Sequence, residues 1–259
     1  MATLGSNFLT LADKRKRENP NDEIATIVEL LSETNPVLTD AVTLEANGPQ
    51  GHTTTMRTGL PSTTWRKIYG GVQPSKSTTR QVTDTAGMLE GYSDVDKALA
   101  DLNGNTAEFR LSEANGFFQS LNNKVASTLF YGNTDTDPER FMGLAPRFDD
   151  LSAENGDQII DAGGTGSDNT SIWFVVWGED TCHMFFPKGS PIGLNHMDKG
   201  QQTLEDGSGG YYEGYRDHYK WDIGLSVRDW RFISRIANID VSDAKTFGES
   251  SDTSPPIIM

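Results

Sequence analysis

Cysteine is nearly absent from this chain: Cys182 is the only one in 259 residues. A single thiol excludes an intrachain disulfide framework and suits a reducing compartment. No apolar run approaches the roughly 20 residues of a membrane-spanning helix, so no membrane partner is expected. The start, Met1-Ala2-Thr3-Leu4-Gly5-Ser6, lacks the charged and apolar stretches of a signal peptide. These absences point to a soluble protein made inside the cell. Catalytic constellations are missing too. There is no Gly-x-Ser-x-Gly elbow, no phosphate loop ending in Gly-Lys-Ser/Thr, and no Gly-x-Gly-x-x-Gly opening a helix. Gly163-Gly164-Thr165-Gly166 runs into Ser167-Asp168 with no helical pattern and reads as a loop. The four histidines, His52, His183, His196 and His218, include no pair at i, i+4. Cys182 and His183 are adjacent on an expected strand and would point to opposite faces. No catalytic residue, metal site or cofactor is expected.

The most informative absence is of one sign of charge. The chain holds 37 acids and a net charge of -15, yet no acid lies between Ala46 and Thr83. Those 38 residues carry Arg57, Arg66, Lys67, Lys76 and Arg80, or +5, which leaves -20 on the other 221. A net -15 opposes nucleic-acid binding over the whole surface, because phosphate repels it. A basic arm on an acidic body suggests a protein that binds copies of itself. Large apolar residues are few in the arm, whereas threonines are many, as in Thr53-Thr54-Thr55 and Thr78-Thr79. β-Branched threonines favour extended backbone on a half-wet surface. Gly70-Gly71-Val72-Gln73-Pro74-Ser75 is a turn cluster, so the segment reads as a long β-hairpin. A two-stranded ribbon is marginal alone in water, and an acidic neighbouring subunit would support it. The alternative is an ordinary polar hairpin at the edge of a domain.

The rest of the chain can be placed coarsely. Residues 1–20 read as a mobile arm, with Lys14-Arg15-Lys16-Arg17 a solvated tail diluted by Asp13 and Glu18. A helix follows Asn21-Asp22-Glu23, striped by Ile24, Ile27, Val28 and Leu31, and stops at Asn35-Pro36. Residues 84–104 read as an acidic connection. The strongest helix spans 106–131, with Asn105 and Glu108 as a capping-box-like start and Gly132 as a left-handed C-cap. Phe109, Phe117, Phe118, Leu121, Val125, Leu129 and Phe130 form its apolar side, expected to pack on strands containing Leu225 and Val227. Ile172 to Trp177 reads as a buried strand, followed by a turn at Gly178-Glu179-Asp180 and a second strand to Phe186. Residues 187–210 look turn-rich. From Tyr211 to Asp240 the pattern is extended, with a bulge near Arg228-Asp229. Tyr211, Tyr212, Tyr215, Tyr219 and Trp221 read as strand packing rather than a platform for bases.

This order of parts resembles the major capsid proteins of tailed bacteriophages, which have the Hong-Kong-97-type fold. The strings Glu29-Leu30-Leu31-Ser32-Glu33-Thr34-Asn35-Pro36, Gly51-His52-Thr53-Thr54-Thr55-Met56-Arg57, Leu60-Pro61-Ser62-Thr63-Thr64-Trp65-Arg66-Lys67 and Asn122-Asn123-Lys124-Val125-Ala126 are similar to the branch found in short-tailed phages. The fold class implied is α+β. Residues 1–47 would be an N-terminal arm, 48–85 an extended hairpin loop, and 86–134 a peripheral domain with the spine helix. Residues 135–200 would be an axial domain, and 201–259 long peripheral strands and the start of a further axial element. Chains of this branch run further than Pro255-Pro256-Ile257-Ile258-Met259, which implies an incomplete axial domain. The function implied is a shell protein, not an enzyme, that self-assembles into an icosahedral head around double-stranded DNA. Its partners would be itself in hexamers and pentamers, portal, scaffold and decoration proteins, and packaged DNA through weak nonspecific contact. It would be assembled in the bacterial host cytoplasm and reside in the virion. Two other readings are an encapsulin-like compartment and an acidic β-rich hydrolase using Glu179 and Asp180.

Overall fold

A computed structural model describes residues 8–17, 35–206 and 208–242. The expected stripe Ile24, Ile27, Val28 and Leu31 and the terminal run from Pro255 to Met259 lie outside the described residues. In chain order the elements are helices α1 (Leu11–Lys16) and α2 (Val37–Asp40), then strands β1 (Thr43–Glu45), β2 (Gly51–Gly59), β3 (Thr78–Thr85) and β4 (Gly87–Asp96). Helices α3 (Lys97–Ala100) and α4 (Thr106–Tyr131) follow, then β5 (Ile159–Asp161), β6 (Asn169–Val175), β7 (Cys182–Phe186), β8 (Asn195–Glu205), β9 (Tyr211–Val227) and β10 (Ile233–Asp240).

Strand β9 organises the main sheet. It pairs antiparallel with β4 from Gly214 to Ile223, with β8 from Tyr211 to Lys220, and with β7 from Gly224 to Val227. Strand β1 completes the sheet beside β7 in parallel. A second sheet has the order β5-β10-β6, and β2 and β3 form a separate two-stranded ribbon. The segment expected as an acidic connection therefore holds edge strand β4, and the turn-rich 187–210 holds β8. Both were obscured because exposed strands carry polar residues on the wet side. Near Arg228-Asp229 there is no bulge. A 3₁₀ turn at Trp230–Phe232, capped by Asp229, carries the chain from the first sheet to the second.

Helix α4 has 26 residues, about 39 Å at 1.5 Å per residue. Ala114, Leu121, Val125 and Leu129 are buried at spacings of seven and four, one face of a helix. Val125 and Leu129 belong to the main core with Leu225, Ile223, Phe141, Leu144 and Ile233, and Val227 packs against it. Leu121 sits instead in a second cluster with Ala114 and Tyr219. Phe117 stacks on the Tyr219 ring at 5.1 Å and Phe118 meets it edge-on at 5.4 Å, and both phenylalanines are half-buried. Replacing Leu121 by Ala should cost about 2–5 kcal/mol, as for other buried leucines. Denaturant unfolding of the variant checks this, and a parental midpoint would contradict the packed-face assignment.

The helix ends differ from expectation. Asn105 makes no side-chain cap, so the capping box is not formed; Thr106 Oγ1 instead donates to Asp101 Oδ1 at 2.9 Å. Gly132 is extended (φ -60°, ψ 129°), not left-handed. Glycine is needed there for space: a Cβ would lie 2.4 Å from the Phe141 carbonyl oxygen. The basic quartet at the start is not a free tail either. Lys14 is fully buried on α1 and its Nζ donates to the carbonyls of Leu99 at 2.8 Å and Leu102 at 2.5 Å. It also lies 5.2 Å from the Phe109 ring, and Arg17 pairs with Glu113 on α4. A cation buried by carbonyls and an aromatic face leaves no hydropathy signal.

Strand β6 is not the buried strand that its apolar run suggests. Trp173 and Val175 pack on the core, whereas Ile172, Phe174 and Val176 are exposed. The buried strand is β7, where Cys182, His183, Met184 and Phe185 are all inaccessible.

Candidate intersubunit surface

The ribbon begins at a tight root. Gly51 opposes Thr85, and a Cβ on Gly51 would lie 2.3 Å from the Asp84 carbonyl oxygen. Asp84 is buried, and its Oδ1 accepts from Arg147 Nη2 at 2.7 Å. The same Nη2 donates to the carbonyls of Met142 and Leu225, each at 3.2 Å. One guanidinium thus ties β3 to β9. Beside it, the His52 and His183 rings meet edge-on at 5.2 Å. His183 is fully buried, and neither ring nitrogen has a partner of good hydrogen-bond geometry among the described residues, the Gly178 backbone making only a weak contact.

Burial pushes both imidazoles below their ordinary value of 6.5. Arg228 adds to the effect at each ring and His52 adds to it at His183, while the Gly178 backbone at His183 and Asp84 at both rings oppose it. The unfolded chain therefore takes up these protons first as pH falls, and stability should drop below about pH 6.5. Thermal melts between pH 7.5 and about 5 check this expectation. A His183→Phe variant should flatten the dependence, and an unchanged slope would contradict it.

Beyond the root the ribbon is polar and wet. Thr53 and Thr83 hydroxyls meet across the strands at 3.0 Å, and Thr58 and Thr78 at 3.2 Å, pairs that modestly stabilise a sheet. A groove of about 590 Å³ separates residues 54–60 from Asp180 and the turn at 228–231. Between the strands lies a long tip. Trp65 is 102% and Tyr69 100% exposed, and Leu60 and Ile68 are exposed as well. Tyr69 holds a left-handed φ of 64° before Gly70-Gly71. Among the described residues, nothing covers these side chains.

Arg57, Arg66, Lys67, Lys76 and Arg80 all lie on the ribbon and are exposed. Other cations, such as Arg110, Arg147 and Arg216, make ion pairs within the subunit, whereas none of these five has one among the described residues. The structure brings Phe117, Phe118 and Leu121 together around Tyr219, and Val125 and Leu129 into the main core. Glu179 and Asp180 lie exposed in a turn, with Asp180 paired to Arg228 at 3.2 Å.

Sequence reasoning missed a complementary surface. From Phe148 to Pro187 there is no Lys or Arg, while Asp149, Asp150, Glu154, Asp157, Asp161, Asp168, Glu179 and Asp180 are all present. All eight are exposed. The signal was available: this run is the counterpart of the acid-free ribbon, with the missing sign reversed.

The chain matches the family model of the major capsid protein GP7 over residues 19–255. It is similar to a chain in a cryo-EM structure of bacteriophage Epsilon15, with 46% identity and a TM-score of 0.76 over 97% of this chain and 76% of that one. It is also similar to the SrpI encapsulin of Synechococcus elongatus, at 10% identity and a TM-score of 0.58 over 96% of this chain and 99% of the other. A chain of Mycobacterium phage Adephagia matches at 12% identity and a TM-score of 0.54, over 90% and 96%. The last two likenesses concern the fold alone, which is Hong-Kong-97-like and α+β. No curated protein matches the chain.

Proposed function

This chain belongs to the family of major capsid proteins GP7 and is a structural shell protein of a tailed-phage head, and from that premise we propose that residues 48–85 are the loop by which each copy grips its neighbour. Self-association and a place in the virion go with the family. The finer picture is ours. Copies form hexamers and pentamers that close into an icosahedral shell. Residues 1–47 act as an arm, and 86–134 with the long strands of 201–259 form a peripheral domain. Residues 135–200 lie toward the capsomer centre. The shell assembles in the host cytoplasm, encloses double-stranded DNA that it touches only weakly, meets portal, scaffold and decoration proteins, and performs no catalysis.

The observation that carries this reading is the ribbon itself. It projects into solvent five cations that have no ion-pair partner among the described residues, and five large apolar side chains, Leu60, Trp65, Ile68, Tyr69 and Val72. A subunit acting alone gains nothing from that arrangement. Arg57, Arg66, Lys67, Lys76 and Arg80 are proposed to meet carboxylates of a second copy. Each such pair is worth only about 0.2–1 kcal/mol, so the effect comes from repetition across the shell. A high-resolution map of the assembled particle tests it: most of the five should lie within about 4 Å of a neighbour's carboxylate. A map in which most face solvent would overturn the assignment.

A further inference from the structure

We propose that the outer face of the β5-β10-β6 sheet in one copy receives the ribbon tip of another copy, an inference that rests on the shell reading above. The register defines that face. Ile236 lies between Ile160 on β5 and Ile172 on β6, and Ser234 lies beside Phe174. The opposite face carries Ile159, Trp173, Val175 and Ile233, which pack into the core. An antiparallel or mixed sheet normally keeps its solvent side polar. Here Ile160 and Ile172 are exposed and Phe174 is 59% exposed, an apolar stripe of the kind that marks an interaction site.

Charge decides which partner fits. Asp157 precedes β5, Asp161 ends it, and Asp168 precedes β6. No Lys or Arg occurs in the sequence between 148 and 187, and on the central strand β10 Arg235 turns to the core face, where it donates to the Phe148 carbonyl and lies over Trp173, so acids flank the apolar stripe along β5 and β6. The ribbon tip has the complementary composition. It combines exposed Leu60, Trp65, Ile68 and Tyr69 with Arg66 and Lys67, and it contains no acid. Apolar side chains inside and opposite charges at the rim is the usual anatomy of a specific contact. Other acidic positions fit less well. Asp94 and Asp217 are already held by Arg216 and Arg110, while Asp161 and Asp168 accept hydrogen bonds from Asn238 and Ser242 and remain exposed.

Two measurements on the full chain test this. Shells are assembled from a mixture of isotopically labelled and unlabelled copies and treated with a zero-length carbodiimide cross-linker. Peptide pairs joining Lys67 of one copy to Asp157, Asp161 or Asp168 of another are expected. Shells that form normally but link Lys67 only to other carboxylates overturn this inference and leave the shell reading standing. Failure of the unmodified chain to form shells removes both. The second measurement places a thiol on the face with Phe174→Cys. Native Cys182 does not interfere, because burial pushes its pKa up to about 12. Maleimide labelling should be fast in the free subunit and roughly tenfold slower or more in the shell, since a packed thiol reacts only through local opening. A thiol already protected in the free subunit means that the chain covers this face itself, and the proposal falls.

Discussion

Reversing the ribbon's charge should give subunits that fold and do not assemble. In a variant carrying Arg57→Glu, Arg66→Glu, Lys67→Glu, Lys76→Glu and Arg80→Glu, every changed side chain is exposed and makes no ion pair among the described residues. Surface substitutions of this kind usually alter folding stability by less than about 0.5 kcal/mol each. Across a subunit contact the same changes turn each attraction into a repulsion against an acidic body. Repeated over every copy, these losses should abolish shells at ordinary ionic strength. Melting near the parental temperature together with only small species on gel filtration is the expected result. Wild-type assembly should also weaken toward about 1 M salt, where the screening length is near 3 Å. Shells of normal yield from the reversed variant would show that the ribbon's charge has no role in assembly.

Asp84→Ala should be the most damaging single change. Asp84 is 5% exposed and holds Arg147 at 2.7 Å. Removing the carboxylate leaves a half-buried guanidinium with two carbonyl partners and no counter-charge, where a fully buried pair would lose about 3–5 kcal/mol. Denaturant unfolding should show it. A second variant, Asp84→Ala with Arg147→Met, should regain much of the loss, because replacing both partners of a buried pair by apolar groups is often near neutral. Equal damage in the single and double variants would mean that the root is held by backbone pairing and the glycine contact at Gly51, not by the ion pair.

The parts of the fold that were legible obey a single period. Helix α4 was readable because its apolar residues recur at three, four and seven, and its bounds were read from Asn105 and Gly132, which flank the helix although neither forms the expected cap. The ribbon was readable from threonines, a glycine turn and a missing charge. Strands β4 and β8 were not readable, because each has one wet side and carries Glu90, Asp94, Asp198 or Lys199 where a buried strand would be apolar. The alternation of β6 was hidden by the opposite circumstance: its exposed positions are Ile172 and Phe174, so both sides look like core. The docked cation Lys14 was hidden because its burial depends on carbonyls at Leu99 and Leu102, far away in sequence. Of the candidate surface, the basic half was apparent from composition and the acidic half was equally available, as a cation-free run.

The central claim is that this chain is built to tile a closed shell, and electron microscopy of the purified chain under assembly conditions tests it most directly. The account predicts uniform, closed icosahedral particles whose walls contain only this polypeptide, dispersing to capsomers or subunits when the ribbon is charge-reversed. A population of compact, well-folded monomers at every concentration and salt level tested would contradict it.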